Sequence, residues 1–216
     1  MVTNATSVGA SSAPGSVVYQ AIFSSRVAKW AHGVSPGTSS TFEHGDYVIK
    51  RSGHAEALLF APGAHYRSLS ATVRASLRRG TPVGMGFGTF CLAWSGKVTI
   101  FFSFRTIRGR GWQIAQGTRN GGTIVLMHGA SPALRMDQMT SVQGTCNVAL
   151  DSKSVRLMLS LNGRHYATTT VAVPVLTAKW YTGIDVTSTT SAPTIVWARS
   201  FIVRSTALAG PTAKLS

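Results

Sequence analysis

The hydrophobic and polar positions alternate most clearly over residues 154–173, SVRLMLSLNGRHYATTTVAV. Val155, Leu157, Leu159 and Leu161 fall on one side of an extended chain, and Arg156, Met158 and Ser160 on the other, because successive strand side chains point to opposite faces. Asn162-Gly163 follows, the pair that most readily takes positive φ at both centres of a two-residue turn. The return segment is rich in Tyr, Thr and Val, which suit a pleated, half-buried surface. This pattern predicts a β-hairpin.

Shorter segments repeat the theme. Strands are predicted at 17–23, 46–50 and 57–60, with Ala61-Pro62-Gly63 punctuating the next crossing. Residues 68–77 alternate Leu69, Ala71, Val73 and Ala75 against Ser and Arg. Segments 83–94 and 97–104 flank Ser95-Gly96, a second hairpin. VTIFFSF in the second arm is apolar on both faces and predicts a central strand. A third hairpin joins 110–116 to 123–128 across Arg119-Asn120-Gly121-Gly122. Residues 24–41 and 129–144 read as long loops, 146–150 as a strand, and 180–186 and 194–204 as closing strands. No segment keeps a helical period with caps. The expected fold is all-β, two packed antiparallel sheets in one domain over 17–204. A flexible lead-in at 1–16 and a tail at 205–216 flank it.

The order of these signals resembles domains of the concanavalin A-like lectin/glucanase superfamily, including laminin-G-like modules. The resembling stretches begin with Phe23, Trp30 and Gly33, then FEHGDYVI, LFAPG, SLSATVRA and VGMGF. VRLMLSLNGRHYA and the closing WYTGIDV and IVWARSFIV complete them. The resemblance implies a jelly-roll path and a carbohydrate- or protein-binding module, some relatives being glycoside hydrolases or lyases.

Charge narrows the partners. Of 216 residues only 12% are charged, with 21 Lys plus Arg against six Asp plus Glu. A formal charge of +15 favours polyanions: acidic polysaccharide, a cell or particle surface, or nucleic acid bound nonspecifically. No positive charge precedes Arg26, which disfavours a basic genome-packaging arm. Glycoside hydrolysis generally needs two facing carboxylates, and no two of Glu43, Asp46, Glu56, Asp137, Asp151 and Asp185 stand two residues apart. His165 and Tyr166 suggest the proton transfer of a lyase, but adjacent strand residues face opposite sides. No His pair has metal-ligand spacing, so neither metal nor cofactor is expected. Cys91 and Cys146 form either one disulfide or two buried thiols.

The candidate binding residues are Trp94, Arg105, Arg108, Arg110 and Trp112. Aromatic faces stack on sugar rings, and Arg forks grip carboxylate, sulfate or phosphate. Trp30, Trp180 and Trp197 read as packing residues. The expected function is a non-catalytic carbohydrate-binding module, extracellular or on a cell or particle surface, with a taste for anionic glycans. The alternatives are a structural subunit of a self-assembling particle or filament, possible as a homo-oligomer, and a polysaccharide lyase or glycoside hydrolase relative. No apolar run reaches the length of a membrane span. The N-terminus lacks the form of a secretory signal, so an export signal has been trimmed or another exit route serves.

Overall fold

The structure is a computed structural model that describes residues 15–24, 30, 33–53, 55–95, 98–117, 122–131, 135–173 and 180–206, with the backbone alone at 33–35, 55, 64–65, 94–95 and 98. Among these residues there is no helix, and fifteen strands build two antiparallel sheets. The strands are β1 (Val17–Ile22), β2 (Gly33–Ser35), β3 (Thr38–Glu43), β4 (Asp46–Arg51), β5 (Ala55–Tyr66), β6 (Leu69–Leu77), β7 (Gly86–Ser95) and β8 (Val98–Ile107). They continue with β9 (Gly111–Gly117), β10 (Thr123–Gly129), β11 (Thr140–Val148), β12 (Ser154–Leu161), β13 (Arg164–Ala172), β14 (Trp180–Ser188) and β15 (Thr194–Ser205). The larger sheet runs β13-β12-β11-β6-β15-β4-β3-β2, with β1 also on β15. The smaller runs β10-β9-β8-β7-β14-β5.

Period-two burial explains the sandwich. Leu69, Ala71, Val73, Ala75 and Leu77 of β6 are all buried, as are Val155, Leu157, Leu159 and Leu161 of β12. They meet Phe102, Phe104, Trp180, Ile184 and Val186 from the smaller sheet in one core. Each Val, Leu, Ile or Phe among them contributes about 1.5–3 kcal/mol by leaving water. An aromatic nest closes one end, where Trp30 packs on Phe23 at 5.2 Å and on Phe201 at 5.3 Å. The Trp30 indole donates to the Tyr19 hydroxyl. Burial pushes the Tyr19 phenol up to about 12, against a smaller downward pull from that bond. Cys91 of β7 and Cys146 of β11 form a disulfide with Cα atoms 6.6 Å apart, stapling one sheet to the other.

The hairpin at 154–173 is present, with β12 paired to β13 and positive φ at Asn162 (50°) and Gly163 (78°). The turns expected at 95–96 and 119–122 join strands that do pair, β7 with β8 and β9 with β10. Residues 96, 97 and 118–121 themselves lie outside the described residues.

Three local expectations need correction. The loop expected over 129–144 gives way to β11 from Thr140, whose Val142 is fully buried between β6 and β12. The loop expected over 24–41 contains the short β2 and the start of β3. Pro62 does not end its strand, because β5 lies at the outside of the smaller sheet, where a missing N–H costs no ladder bond. Glu43 and Asp46 flank the tight turn His44-Gly45. Asp46 is spent on Arg199, whose Nε and Nη2 donate to its two oxygens at 2.8 and 3.2 Å.

Candidate functional site

The outer face of the smaller sheet carries polar and aromatic side chains that the core excludes. In β8, Ile100, Phe102 and Phe104 enter the core, so Phe101, Ser103 and Arg105 project from the opposite face. Register then sets a row across six strands: Leu58, Asp185, Gly88, Arg105, Gln113 and His128.

Gly88 lies in this row between Asp185 and Arg105. A Cβ there would stand 1.8 Å from the Phe104 carbonyl oxygen, so only glycine permits this strand spacing. With no side chain at Gly88, Arg105 lies across β7 and places Nε 3.2 Å from Asp185 Oδ2. Its Nη2 reaches Glu56 Oε1 at 2.5 Å. Nε also donates to Ser103 Oγ at 3.1 Å. Arg105 is 4% exposed and Asp185 fully buried. Burial holds the Asp185 carboxyl well above the usual carboxylate range; Arg105 pulls it down less, and neighbouring Glu56 raises it further. Of the two carboxyls around Arg105, Asp185 is thus the one whose protonated form burial favours.

Arg105 was expected to grip a ligand, and the fold occupies it internally instead. Trp112 is also turned inward, packed on Tyr166 at 6.2 Å in an edge-on contact. Trp94 belongs to β7, but its side chain lies outside the described residues. Arg108 and Arg110 remain at the surface, on the turn between β8 and β9.

That turn is held from three sides. Gly84 N–H donates to the Arg108 carbonyl at 2.9 Å, Arg108 N–H to Met85 at 2.8 Å and Arg110 N–H to Ile107 at 3.0 Å. Gly111 has φ 86°, and a Cβ on it would stand 2.1 Å from the Gly129 oxygen. Glycine alone lets this turn press against the segment that leaves β10. Two adjoining hollows result, sharing Ile107 and Arg110. One, of about 310 Å³, is a groove holding Gln113, His128 and Val125. The other, of about 390 Å³, gathers Arg108, Arg110, Ser131, Arg135 and Asp137. Arg135 Nε lies 3.8 Å from Asp137 Oδ1. Neither Arg108 nor Arg110 has an ion-pair partner among the described residues.

The same sheet face becomes aromatic toward β5. Phe60 meets Phe90 edge-on at 5.0 Å, and Phe90 lies 6.0 Å from Phe101. Phe60 and Tyr181 are each 37% exposed. Gln113, His128, Arg135 and the Glu56–Asp185 pair escaped the sequence reading. The available signal was the β8–β9 hairpin, whose register sets Gln113 opposite Arg105. The carboxylates offered none, since Glu56 and Asp185 are far apart in the chain. Among the described residues no three metal-ligating side chains converge. His165 and Tyr166 remain apart in role: His165 contacts Thr168 Oγ1 at 3.1 Å, while Tyr166 turns to Trp112.

No protein-family model matches the sequence, and no curated protein matches it. Solved structures do match in shape. A Bacillus subtilis protein of unknown function with a galectin-like fold aligns at 14% identity and TM-score 0.65, over 89% of this chain and 97% of that one. The alginate lyase Aly36B aligns at 6% identity and TM-score 0.55, over 82% and 86%. The carbohydrate recognition domain of Emp46p aligns at 11% identity and TM-score 0.50, over 84% and 90%. These are jelly-roll sandwiches of one type. With its two packed antiparallel sheets, the chain has the concanavalin A-like jelly-roll fold.

Proposed function

We propose that the protein is a non-catalytic carbohydrate-binding module that takes anionic glycans along the outer face of the smaller sheet. The observation that carries this reading is the groove formed by Gln113, His128 and Arg110 on the same sheet face as Phe60 and Tyr181. An amide, an imidazole and a guanidinium supply the directional contacts that fix a sugar's hydroxyls and acid group. Aromatic rings supply the apolar platform for a sugar face. The non-catalytic part is supported by the carboxylates: the two that meet, Glu56 and Asp185, converge on one arginine instead of facing each other across an open cleft. The inter-sheet disulfide supports an extracellular or surface setting, where such bonds persist. No helix among the described residues is long and apolar enough to cross a membrane.

A glycan array tests the reading. Binding to acidic oligosaccharides that weakens as salt rises is expected, because exposed charge pairs are screened. No binding to any glycan at low salt overturns it.

The second reading, a subunit of a larger assembly, is favoured by β10. This outermost strand, TIVLMHG, carries no Lys, Arg, Asp, Glu or Pro, and Ile124 and Val125 are 55% and 47% exposed. Such an edge offers backbone groups to another strand. Sedimentation across concentrations decides it, a strictly monomeric result counting against assembly.

A further inference from the structure

We infer that the pocket between the β8–β9 turn and the segment after β10 is a site for a doubly charged oxyanion, a phosphate monoester, carried on a sugar. The inference rests on the carbohydrate reading for the sugar and stands apart from it for the anion.

The charge balance of the pocket decides the class of ligand. Three arginines, Arg108, Arg110 and Arg135, and one acid, Asp137, line the pocket, and Arg135 Nε lies 3.8 Å from Asp137 Oδ1. The excess of two positive charges matches a dianion. A carboxylate or a sulfate ester brings one negative charge and leaves the pocket underneutralised. A phosphate monoester brings ~1.5–2 at neutral pH. Its three free oxygens also match several donors, because guanidinium forks bind phosphate bidentately; the Ser131 hydroxyl in the same wall donates to the Tyr166 hydroxyl at 3.4 Å.

The site is built rather than incidental. Arg108 and Arg110 stand on a turn fixed by backbone bonds to Gly84, Met85 and Ile107. Gly109 and Gly111 hold positive φ of 74° and 86° and put no side chain into the space. The cavity, about 390 Å³, is in the range of small-ligand pockets. It opens beside the groove of Gln113 and His128 through the shared Arg110. A sugar resting in the groove would thus extend its phosphate into the arginine pocket.

The pH dependence separates this from general attraction to charge. A phosphate monoester gains its second charge as pH passes about 6, so binding should tighten between pH 5 and 7.5. Of the groups around the two hollows, Arg108, Arg110 and Arg135 keep their charge over that range. Asp137 lies beside Arg135, 3.8 Å from its Nε. His128 stands in the adjoining groove; an imidazole can only lose positive charge with rising pH, a trend opposite to the one expected.

Isothermal titration of the whole chain with glucose 6-phosphate, glucose 6-sulfate, glucuronate and inorganic phosphate tests the inference. At pH 7.5 glucose 6-phosphate should bind at least tenfold more tightly than the sulfate or the uronate, and its affinity should fall severalfold at pH 5. Arg110→Gln and Arg135→Gln should each weaken it about tenfold or more, while Arg156→Gln, which removes an exposed charge from the other sheet, should leave it unchanged. Equal affinities for phosphate and sulfate esters, no change with pH, or an equal loss in Arg156→Gln would each overturn the dianion site. Inorganic phosphate that binds as tightly as glucose 6-phosphate, with losses in the same two variants, supports the dianion site and removes the sugar reading from this pocket.

Discussion

Arg105 and Asp185 meet across an intervening strand: Nε of one lies 3.2 Å from Oδ2 of the other, over Gly88. Neither Asp185 oxygen gains a well-directed hydrogen bond among the described residues. The contact with Arg105 is thus an electrostatic one in a buried place, and Glu56 completes it. Such a cluster is costly to break and cheap to replace as a whole.

Its first consequence is a pH dependence with a defined sign. Asp185 is raised well above its ordinary 3.8, chiefly by burial. The folded chain therefore holds a proton that the unfolded chain has already released. Stability falls as pH rises from about 4 toward the raised value, at up to about 1.4 kcal/mol per pH unit. Asp185→Asn keeps the shape and removes the titration. Urea denaturation of both proteins from pH 4 to 8 should show the wild type losing stability relative to the variant. Parallel curves would show that Asp185 is ionised in the fold.

Arg105→Ala should have the opposite character from Arg110→Ala. The first leaves the buried Asp185 and the half-buried Glu56 without the cation between them and should cost about 3–5 kcal/mol. The second removes an exposed side chain and should change stability by no more than about 0.5 kcal/mol, while weakening binding of acidic glycans. Denaturation midpoints and glycan titrations on the two variants would separate the roles. A stability loss in Arg110→Ala equal to that in Arg105→Ala would refute the division.

The sandwich was legible in the sequence because its signals are local. Alternation in β6 and β12 and the Asn162-Gly163 turn need only neighbouring residues to be read. Arg105 was legible as a candidate and misleading as to role. The run RTIRGRGW looks like a connection, yet Arg105 and Ile107 are still in β8. What occupies Arg105 comes from β5 and β14, through pairings that no spacing along the chain reveals. The arginine pocket was half legible for the same reason. Arg108 and Arg110 are close in sequence, whereas Arg135 joins them only because Gly111 lets the turn approach Gly129.

The bond between Cys91 and Cys146 closes 55 residues and joins β7 to β11 across the core. In the chain-entropy account a loop of that length contributes about 4 kcal/mol by restricting the unfolded state. Replacing both cysteines by alanine should lower stability by about 2–5 kcal/mol and leave glycan binding intact at temperatures where the variant folds. Both sulfur-bearing side chains are almost fully buried, so no ligand contact is lost. Unchanged thermal stability in the double variant would show that core packing alone holds the two sheets in register.

Two glycines that both sit at positive φ should respond very differently to alanine, and the difference reaches the site. At Gly163, φ is 78° and a Cβ would meet nothing within 4 Å. Gly163→Ala therefore costs only the left-handed backbone, about 1–2 kcal/mol. Gly111, at φ 86°, would also drive its Cβ to 2.1 Å from the Gly129 oxygen. Backbone atoms on both sides cannot yield as a flexible side chain would, so the β8–β9 turn must move away from the segment after β10. Gly111→Ala should thus destabilise the fold more than Gly163→Ala. Where it still folds at low temperature, it should also lose anion binding, since Arg108 and Arg110 would leave Ser131 and Arg135. Titration with glucose 6-phosphate under conditions where circular dichroism shows both variants folded makes the comparison. Equal binding in the two would mean that the close approach at Gly111 does not assemble the arginine pocket.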